Sequence, residues 1–183
     1  MNRLLIIMII AIALFMGCEK AELVDNAKLQ ELVDADQRDR SSDSDEPFAP
    51  KDDERRKLLF EMLAKNEVIT PKDKLNAAII LQHTGMIFVD DNMKSKNVEN
   101  LFLAHQLAKA AYEEGYEKAR YFTAVTYDRY CWMAFGFQKY GTQSTYINDE
   151  DVWVTIDPET TDEESEVYNV PTLKKLLEHK PMQ

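Results

Sequence analysis

The sequence has few cysteines, few glycines and a deficit of basic residues, and each shortage excludes a class of protein. Two cysteines among 183 residues cannot form the disulfide framework of a small secreted domain. Five scattered glycines form no phosphate-binding loop. The chain has 22 basic and 33 acidic residues, a net charge of −11, which disfavours contact with a phosphate backbone. We therefore expect no nucleic-acid partner, and no pattern in the sequence calls for a cofactor.

Familiar catalytic motifs are also missing. No serine or cysteine stands in a nucleophile-elbow pattern, so acyl transfer has no support. The three histidines show no H-E-x-x-H or similar spacing, and we expect no metal site. A site built from His83, His105 and a carboxylate is the metal alternative that the spacing leaves open.

The long hydrophobic run of this sequence is at its N-terminus. Residues 4–16 are apolar throughout and follow Arg3; these 13 residues suit a signal peptide and fall short of the ~20 that span a bilayer. The segment Phe15-Met16-Gly17-Cys18 resembles a lipobox, where lipoprotein signal peptidase cuts before a lipidated cysteine. We predict a signal peptide over residues 1–17 and a lipid anchor on Cys18. The alternatives are an ordinary signal peptide followed by an unrelated cysteine, or an uncleaved anchor.

The lipoprotein hypothesis predicts the domain boundaries, the location and the partners of the protein. Residues 18–21 would be a lipid-anchored tether, and residues 22–180 a single mainly helical domain. We expect a lipoprotein of the cell envelope, held on a membrane through the lipid on Cys18, with an envelope protein or a small ligand as its other partner. Glu19 after the cysteine resembles the sorting signal for the outer membrane, on its periplasmic face, if the host is Gram-negative.

The periodicity of apolar residues predicts a mainly α fold. We expect about five helices in an orthogonal or antiparallel bundle, followed by a C-terminal β-hairpin and short terminal helices. The third helix is expected to be central because residues 77–81 are apolar all round. In the hairpin, residues 142–147 should pair with residues 152–156, with Trp153 on one face and Val152 and Val154 on the other. The five helices are expected over residues 19–40, 51–65, 70–83, 96–114 and 117–135.

Polar residues interrupt the apolar faces of four of these helices. In the fifth helix, Asp128 lies within a predicted apolar stripe and Arg129 lies at its edge; the stripe comprises Tyr121, Val125, Asp128, Trp132 and Phe135. The other three helices repeat the pattern with Asp36 and Arg40, with Gln82 and His83, and with His105. Buried charges need partners, so these groups form either structural ion pairs or a ligand pocket. Both interpretations are kept.

The same residues fall into short motifs with a recognisable order. Asp36-Gln37-x-x-Arg40, Gln82-His83, Asp128-Arg129 and Gln138-x-Tyr140-Gly141-Thr142-Gln143 resemble those of a bacterial domain-of-unknown-function family, number 6624. The resemblance covers about residues 22–178 and implies where the site lies rather than a reaction. Gly85 stands where the family tends to have an aspartate, and the basic pair usual in the tail helix is replaced near Glu164-Ser165. The implied catalytic candidates are His83, Asp128 and Arg129, and the binding candidates are Asp36, Gln37, Arg40, Gln82, Gln138, Tyr140, Gly141, Thr142 and Gln143.

His83 is the best candidate for acid–base chemistry, as a general base oriented by Asp128 or Asp36. We predict that His83, Asp128, Arg129 and Gln143 converge on one site, with Asp36 or Arg40 added from the first helix. Three functions follow: an envelope lipoprotein whose polar pocket binds a small ligand or a partner, an envelope enzyme of hydrolase type, or a structural lipoprotein with a polar core.

Overall fold

Helices dominate the computed structural model, which describes residues 23–41, 48–89, 92–147, 150–180 and 182. The predicted signal peptide, Cys18 and the tether lie outside the described residues. No helix within the described ranges has the length and apolar character to cross a membrane. The helices are α1 (Ala27–Ser41), α2 (Phe48–Ala64), α3 (Pro71–Gln82), α4 (Val98–Glu113), α5 (Ala119–Phe135), α6 (Asp162–Val167) and α7 (Leu173–Leu177).

Helix α3 is the centre of the bundle, as predicted. It begins with a capping box in which Thr70 and Asp73 satisfy each other's backbone N–H groups, and Pro71 occupies the first turn. All residues from 75 to 82 are buried. Helices α1, α2, α4 and α5 all contact α3. A helix that is apolar all round is stable only when covered in this way.

Helix α5 buries a different face from the predicted stripe. Tyr121 and Phe135 are 45% and 61% exposed, whereas Thr123 and Thr126 are buried. The two hydroxyls donate to backbone carbonyls of the preceding turn, Thr123 to Ala119 and Thr126 to Phe122, and so need no water. Small side chains let α5 lie close to α4, which presents Ala104, Ala108 and Ala111. The large aromatic side chains are placed outside this interface.

The described strands form two antiparallel hairpins. The predicted hairpin comprises β3 (Ser144–Ile147) and β4 (Glu150–Trp153), with Val152 and Val154 buried and Trp153 partly exposed. The paired part of its second strand is earlier than predicted, because Ile147 pairs with Glu150 and this register sets every later partner. The unpredicted hairpin comprises β1 (Met86–Val89) and β2 (Asn92–Ser95).

The C-terminal segment packs on the hairpin and on α5. The indole N–H of Trp153 donates to the carbonyl of Leu176 at 3.0 Å. The Arg120 guanidinium donates to the carbonyls of Glu166 and Val167, both at 2.7 Å. These bonds join α6 and α7 to the rest of the fold. The mainly α class with a C-terminal hairpin is thus confirmed.

Candidate functional site

Asp36 on α1 is the centre of a polar cluster. Its side chain is 1% exposed, on the same face as Leu29 and Val33. One carboxylate oxygen, Oδ1, accepts from Arg40 Nε at 3.2 Å and lies 3.0 Å from Arg40 Nη2. The other, Oδ2, accepts from Gln37 Nε2 at 2.8 Å and lies 2.9 Å from His83 Nδ1. A buried carboxylate with this many donors is ionised.

The contact with Asp36 fixes the tautomer of His83, which follows the end of α3. Nδ1 must carry a proton in order to donate to Asp36 Oδ2. Arg40 Nε lies 3.0 Å from the same nitrogen and could donate to it only if Nδ1 were unprotonated; with Nδ1 protonated, the Arg40 proton goes to Asp36 Oδ1 at 3.2 Å. The lone pair of the neutral imidazole is then on Nε2, and no described residue makes a hydrogen bond to that atom. The His83 side chain is 15% exposed, so the site reaches solvent.

The surroundings favour the neutral form of His83. Burial lowers its pKa below 6.5, the Asp36 carboxylate acts in the opposite direction, and the charges of Arg40 and Arg129 lower the pKa further. For Asp36, burial raises the pKa, but the hydrogen bond with His83 and the charges of His83 and Arg40 outweigh it and hold the pKa below its usual value. Near neutral pH the pair is a carboxylate and a neutral imidazole.

Helix α2 contributes two charges that the sequence motifs did not include. Asp52 accepts from Arg40 at 2.7 Å and from Arg55 at 3.2 Å, and Arg55 also pairs with Asp39. Asp52 and Arg55 are both buried. The sequence did contain a signal for their burial, because Asp52 and Arg55 lie at helical spacing on the same face of α2 as the buried Leu59 and Met62. A search for apolar residues alone does not predict that the charged residues on this face are buried.

Arg129 on α5 lies close enough to the cluster for its positive charge to lower the pKa of His83. Its Nε donates to Gln143 Oε1 at 2.9 Å, and its Nη1 donates to the backbone carbonyl of Gln82 at 3.4 Å. Burial, followed by the charge of Arg40, lowers the pKa of Arg129 to about 10, which leaves it protonated at neutral pH. Gln82 is buried, and its Oε1 has no hydrogen-bond partner among the described residues. The two partners of Arg129 thus come from the end of α3 and from the segment after Gly136.

Asp128 has a different role from the predicted one. Its fully buried carboxylate accepts from the backbone N–H groups of Lys139, Tyr140 and Thr142 at 2.8–2.9 Å, and from the Thr142 hydroxyl at 2.8 Å. Burial raises the pKa of Asp128, and these four hydrogen bonds oppose that rise. The carboxylate that contacts His83 is Asp36. Consecutive helical residues point about 100° apart, so Asp128 and Arg129 serve different neighbours.

The Q-x-Y-G-T-Q segment is largely a scaffold for Gln143. Gln138 is fully buried, donates to the carbonyls of Gln143 and Val154, and accepts from the Gln143 N–H. Tyr140 packs its ring against the rings of Tyr127 and Tyr168. Gly141 has a φ of +73°, and Thr142 bonds to Asp128. Of these residues, Gln143 is the one that contacts Arg129.

Other polar groups lie outside the cluster. His105 contacts the Thr123 carbonyl at 3.3 Å and packs against Tyr127. The described part of the chain contains no group of three or more histidine, cysteine or carboxylate side chains arranged to hold a metal. A cleft of about 230 Å³ lies beside the cluster; it is lined by Asp52, Asp53, Arg56, Gly85, Met86, Ile87, Lys96 and Asn97.

The fold and the site define a mainly helical domain with a solvent-reaching Asp–His pair between two arginines. A comparison with protein-family models gave no match, and neither the curated proteins nor the solved structures contained one. The argument for function therefore rests on the site itself.

Proposed function

We propose that the protein is a lipoprotein of the bacterial cell envelope, anchored through Cys18, whose cluster around His83 binds a small ligand. Support for the anchor comes from the length of the apolar run, from Arg3 and from the lipobox-like segment. Several acyl chains on one cysteine give firm attachment, since each buried CH₂ contributes ~0.8 kcal/mol. From its motifs we also propose that the chain is a member of the family numbered 6624.

The anchor is tested by metabolic labelling with radioactive palmitate. We expect the wild type to be labelled and the Cys18→Ser variant to remain an unlabelled precursor. Cys131→Ser is the matched control, because Cys131 is a buried cysteine within the domain. Equal labelling of wild type and Cys18→Ser would refute the lipid anchor.

One observation carries the assignment of the site: Asp36 is fully buried while its partner His83 reaches solvent, with the Nδ1–Oδ2 distance at 2.9 Å. A purely structural hydrogen bond has no need of an imidazole whose second nitrogen lacks a described partner. The arrangement supports a site in which Nε2 meets a ligand. Arg40 and Gln37 hold Asp36 in place for this purpose.

A hydrolase of the envelope is the second candidate, and the tautomer of His83 favours it. Nε2 would accept a proton from a water molecule, whose hydroxide attacks the substrate. Asp36 would stabilise the imidazolium that forms, and the proton would pass from Nε2 to the leaving group. Arg129, at the same site, would stabilise negative charge that develops on the substrate.

A pair of substitutions separates these functions from a structural role. His83→Gln and Asp36→Asn are expected to abolish ligand binding, or turnover, while the far-UV circular dichroism of the domain is retained. If the cluster is structural, Arg129→Ala should unfold the domain and no ligand should bind to the wild type. Native mass spectrometry of the full-length protein in detergent, against a library of neutral, cationic and anionic metabolites, measures binding. Assays for hydrolysis of the retained compounds measure turnover.

A further inference from the structure

The guanidinium of Arg129 stands out because its bonded partners are neutral. Nε donates to a side-chain amide oxygen, and Nη1 makes a long hydrogen bond to a backbone carbonyl. Within the described residues no carboxylate forms an ion pair with Arg129. A partly buried cation bonded to neutral oxygens alone is less stabilised than one bonded to an anion.

The nearby aspartates are already used by other cations. Asp36 pairs with Arg40 and also accepts a hydrogen bond from the neutral His83, and Asp52 pairs with Arg40 and Arg55. A third aspartate, Asp39, pairs with Arg55 and Lys51.

Asp128 precedes Arg129 in the sequence but uses both of its oxygens on the loop of residues 139–142. Arg129 therefore has no carboxylate partner among the described residues, and it lies near a second arginine, Arg40, whose positive charge lowers the pKa of Arg129.

We propose that the ligand of this site carries an oxyanion, a carboxylate or a phosphate group, which binds the guanidinium of Arg129 beside Nε2 of His83. The inference rests on the proposed function, because it names the ligand class of the same site. A guanidinium has a planar fork of donors that matches both oxyanions. Arg40 adds attraction through its charge, and the neutral imidazole accepts a hydrogen from the rest of the ligand or from water.

Gln143 and the Gln82 carbonyl orient the fork. Gln143 accepts from Nε and the Gln82 carbonyl accepts from Nη1, and Nη2 forms no hydrogen bond with a described residue. The Q-x-Y-G-T-Q loop is in turn held by Asp128 and Gln138, so the orientation is built into the fold. An arginine held in place before binding loses little rotamer entropy when the ligand arrives.

The experiment titrates the full-length protein in detergent with sodium phosphate and, separately, with sodium acetate, at an ionic strength held constant with sodium chloride. Binding is followed through the imidazole signals of His83 in NMR spectra. We expect saturable shifts with at least one of the two anions, and the two arms show which oxyanion is preferred. The Arg129→Gln variant should bind about tenfold to a hundredfold more weakly.

Arg38→Gln is the matched control, since Arg38 is an exposed arginine on α1 and the substitution removes the same charge. It should bind as the wild type does. If Arg129→Gln does not fold, Arg129→Lys gives the test: the fork is lost, so weaker binding supports the proposal and unchanged binding overturns it. Equal weakening by Arg38→Gln would also overturn it, because the effect would then be one of net charge.

The metabolite library separates this inference from the proposed function. Compounds that bind in a manner dependent on His83 and are all neutral or cationic would refute the oxyanion and leave the ligand site standing. Absence of binding in every charge class would refute the site itself. Binding of anionic compounds to the wild type, lost in Arg129→Gln, supports both.

Discussion

Asp36 and Asp128 are both buried aspartates, but they differ in the partners they hold. The Asp36 carboxylate accepts hydrogen bonds from charged and ionisable side chains, whereas the Asp128 carboxylate accepts them mainly from backbone N–H groups. Loss of the Asp128 carboxylate leaves three backbone N–H groups and the Thr142 hydroxyl without their acceptor. Asp128 therefore holds the loop of residues 139–142 in place, whereas Asp36 orients the imidazole of His83.

Asp128→Ala is expected to destabilise the domain by about 3–5 kcal/mol, because three backbone donors and one hydroxyl lose a fully buried acceptor and each unsatisfied group costs about 1–3 kcal/mol. Urea denaturation measures the loss. Asp53→Ala removes an exposed aspartate paired with Arg56 and should change the free energy of unfolding by no more than about 0.5 kcal/mol. A similar cost for the two variants would contradict the assigned role.

Acid should destabilise the domain in part through His83. Burial lowers the pKa of His83 below 6.5 in the folded state, so the unfolded chain binds the proton more readily. The contribution of His83 to the free energy of unfolding therefore has its full value above pH 6.5 and is lost as the pH falls below it. Urea denaturation at a series of pH values should show a shallower decline for His83→Gln than for the wild type. The exposed His179→Gln control should follow the wild type, and an unaltered slope in His83→Gln would contradict the expectation.

At the scale of elements, the turn between α5 and β3 depends on Gly141. Its φ of +73° is costly for other residues, and a Cβ there would lie 2.2 Å from Leu176 Cδ1 and 3.1 Å from Ile156 Cδ1. Gly115 has a φ of +90° with nothing near an added Cβ. We expect Gly141→Ala to cost at least about 1 kcal/mol more than Gly115→Ala, as measured by urea denaturation. Equal costs would show that α7 moves aside.

The sequence predicted the structure best where a regular pattern of apolar residues continued over several helical turns. The central position of α3 followed from residues 77–81, and the burial of Asp36 followed from Leu29 and Val33 on the same face. The buried face of α5 was misassigned, because large aromatic residues were taken as core while the interface with α4 selects small side chains. Which face of α5 is buried depends on the side chains of the helix that packs against it, and a single sequence does not show which helix that is.

The hairpin of β1 and β2 and the charges of α2 were missed for related reasons. Asn92–Ser95 has little β propensity, so its strand forms through pairing with Met86–Val89. For the carboxylate that contacts His83, the sequence left Asp36 and Asp128 as alternatives, and the structure shows Asp36 in this contact. Asp36 and Asp128 are equally polar interruptions of apolar faces, and the choice between them requires the tertiary arrangement.

At the scale of the molecule, the C-terminal segment and the helical bundle should unfold together. Trp132 lies in α5 and Trp153 in β4, so each reports on one part. The bonds of Asp128, Gln138 and Trp153 cross between the parts. We expect one transition, the same in Trp132→Phe and Trp153→Phe by fluorescence and in far-UV circular dichroism. Separate midpoints would indicate two independently folding units.

The carboxylate of Asp128 has a consequence for hydrogen exchange in the loop that it holds. The amides of Lys139, Tyr140 and Thr142 belong to no helix or strand, yet they donate to a fully buried acceptor. Such amides exchange with deuterium only when the loop separates from α5. Their exchange should therefore be as slow as that of the helix beneath them, and in a map of protection this irregular loop would be indistinguishable from regular secondary structure.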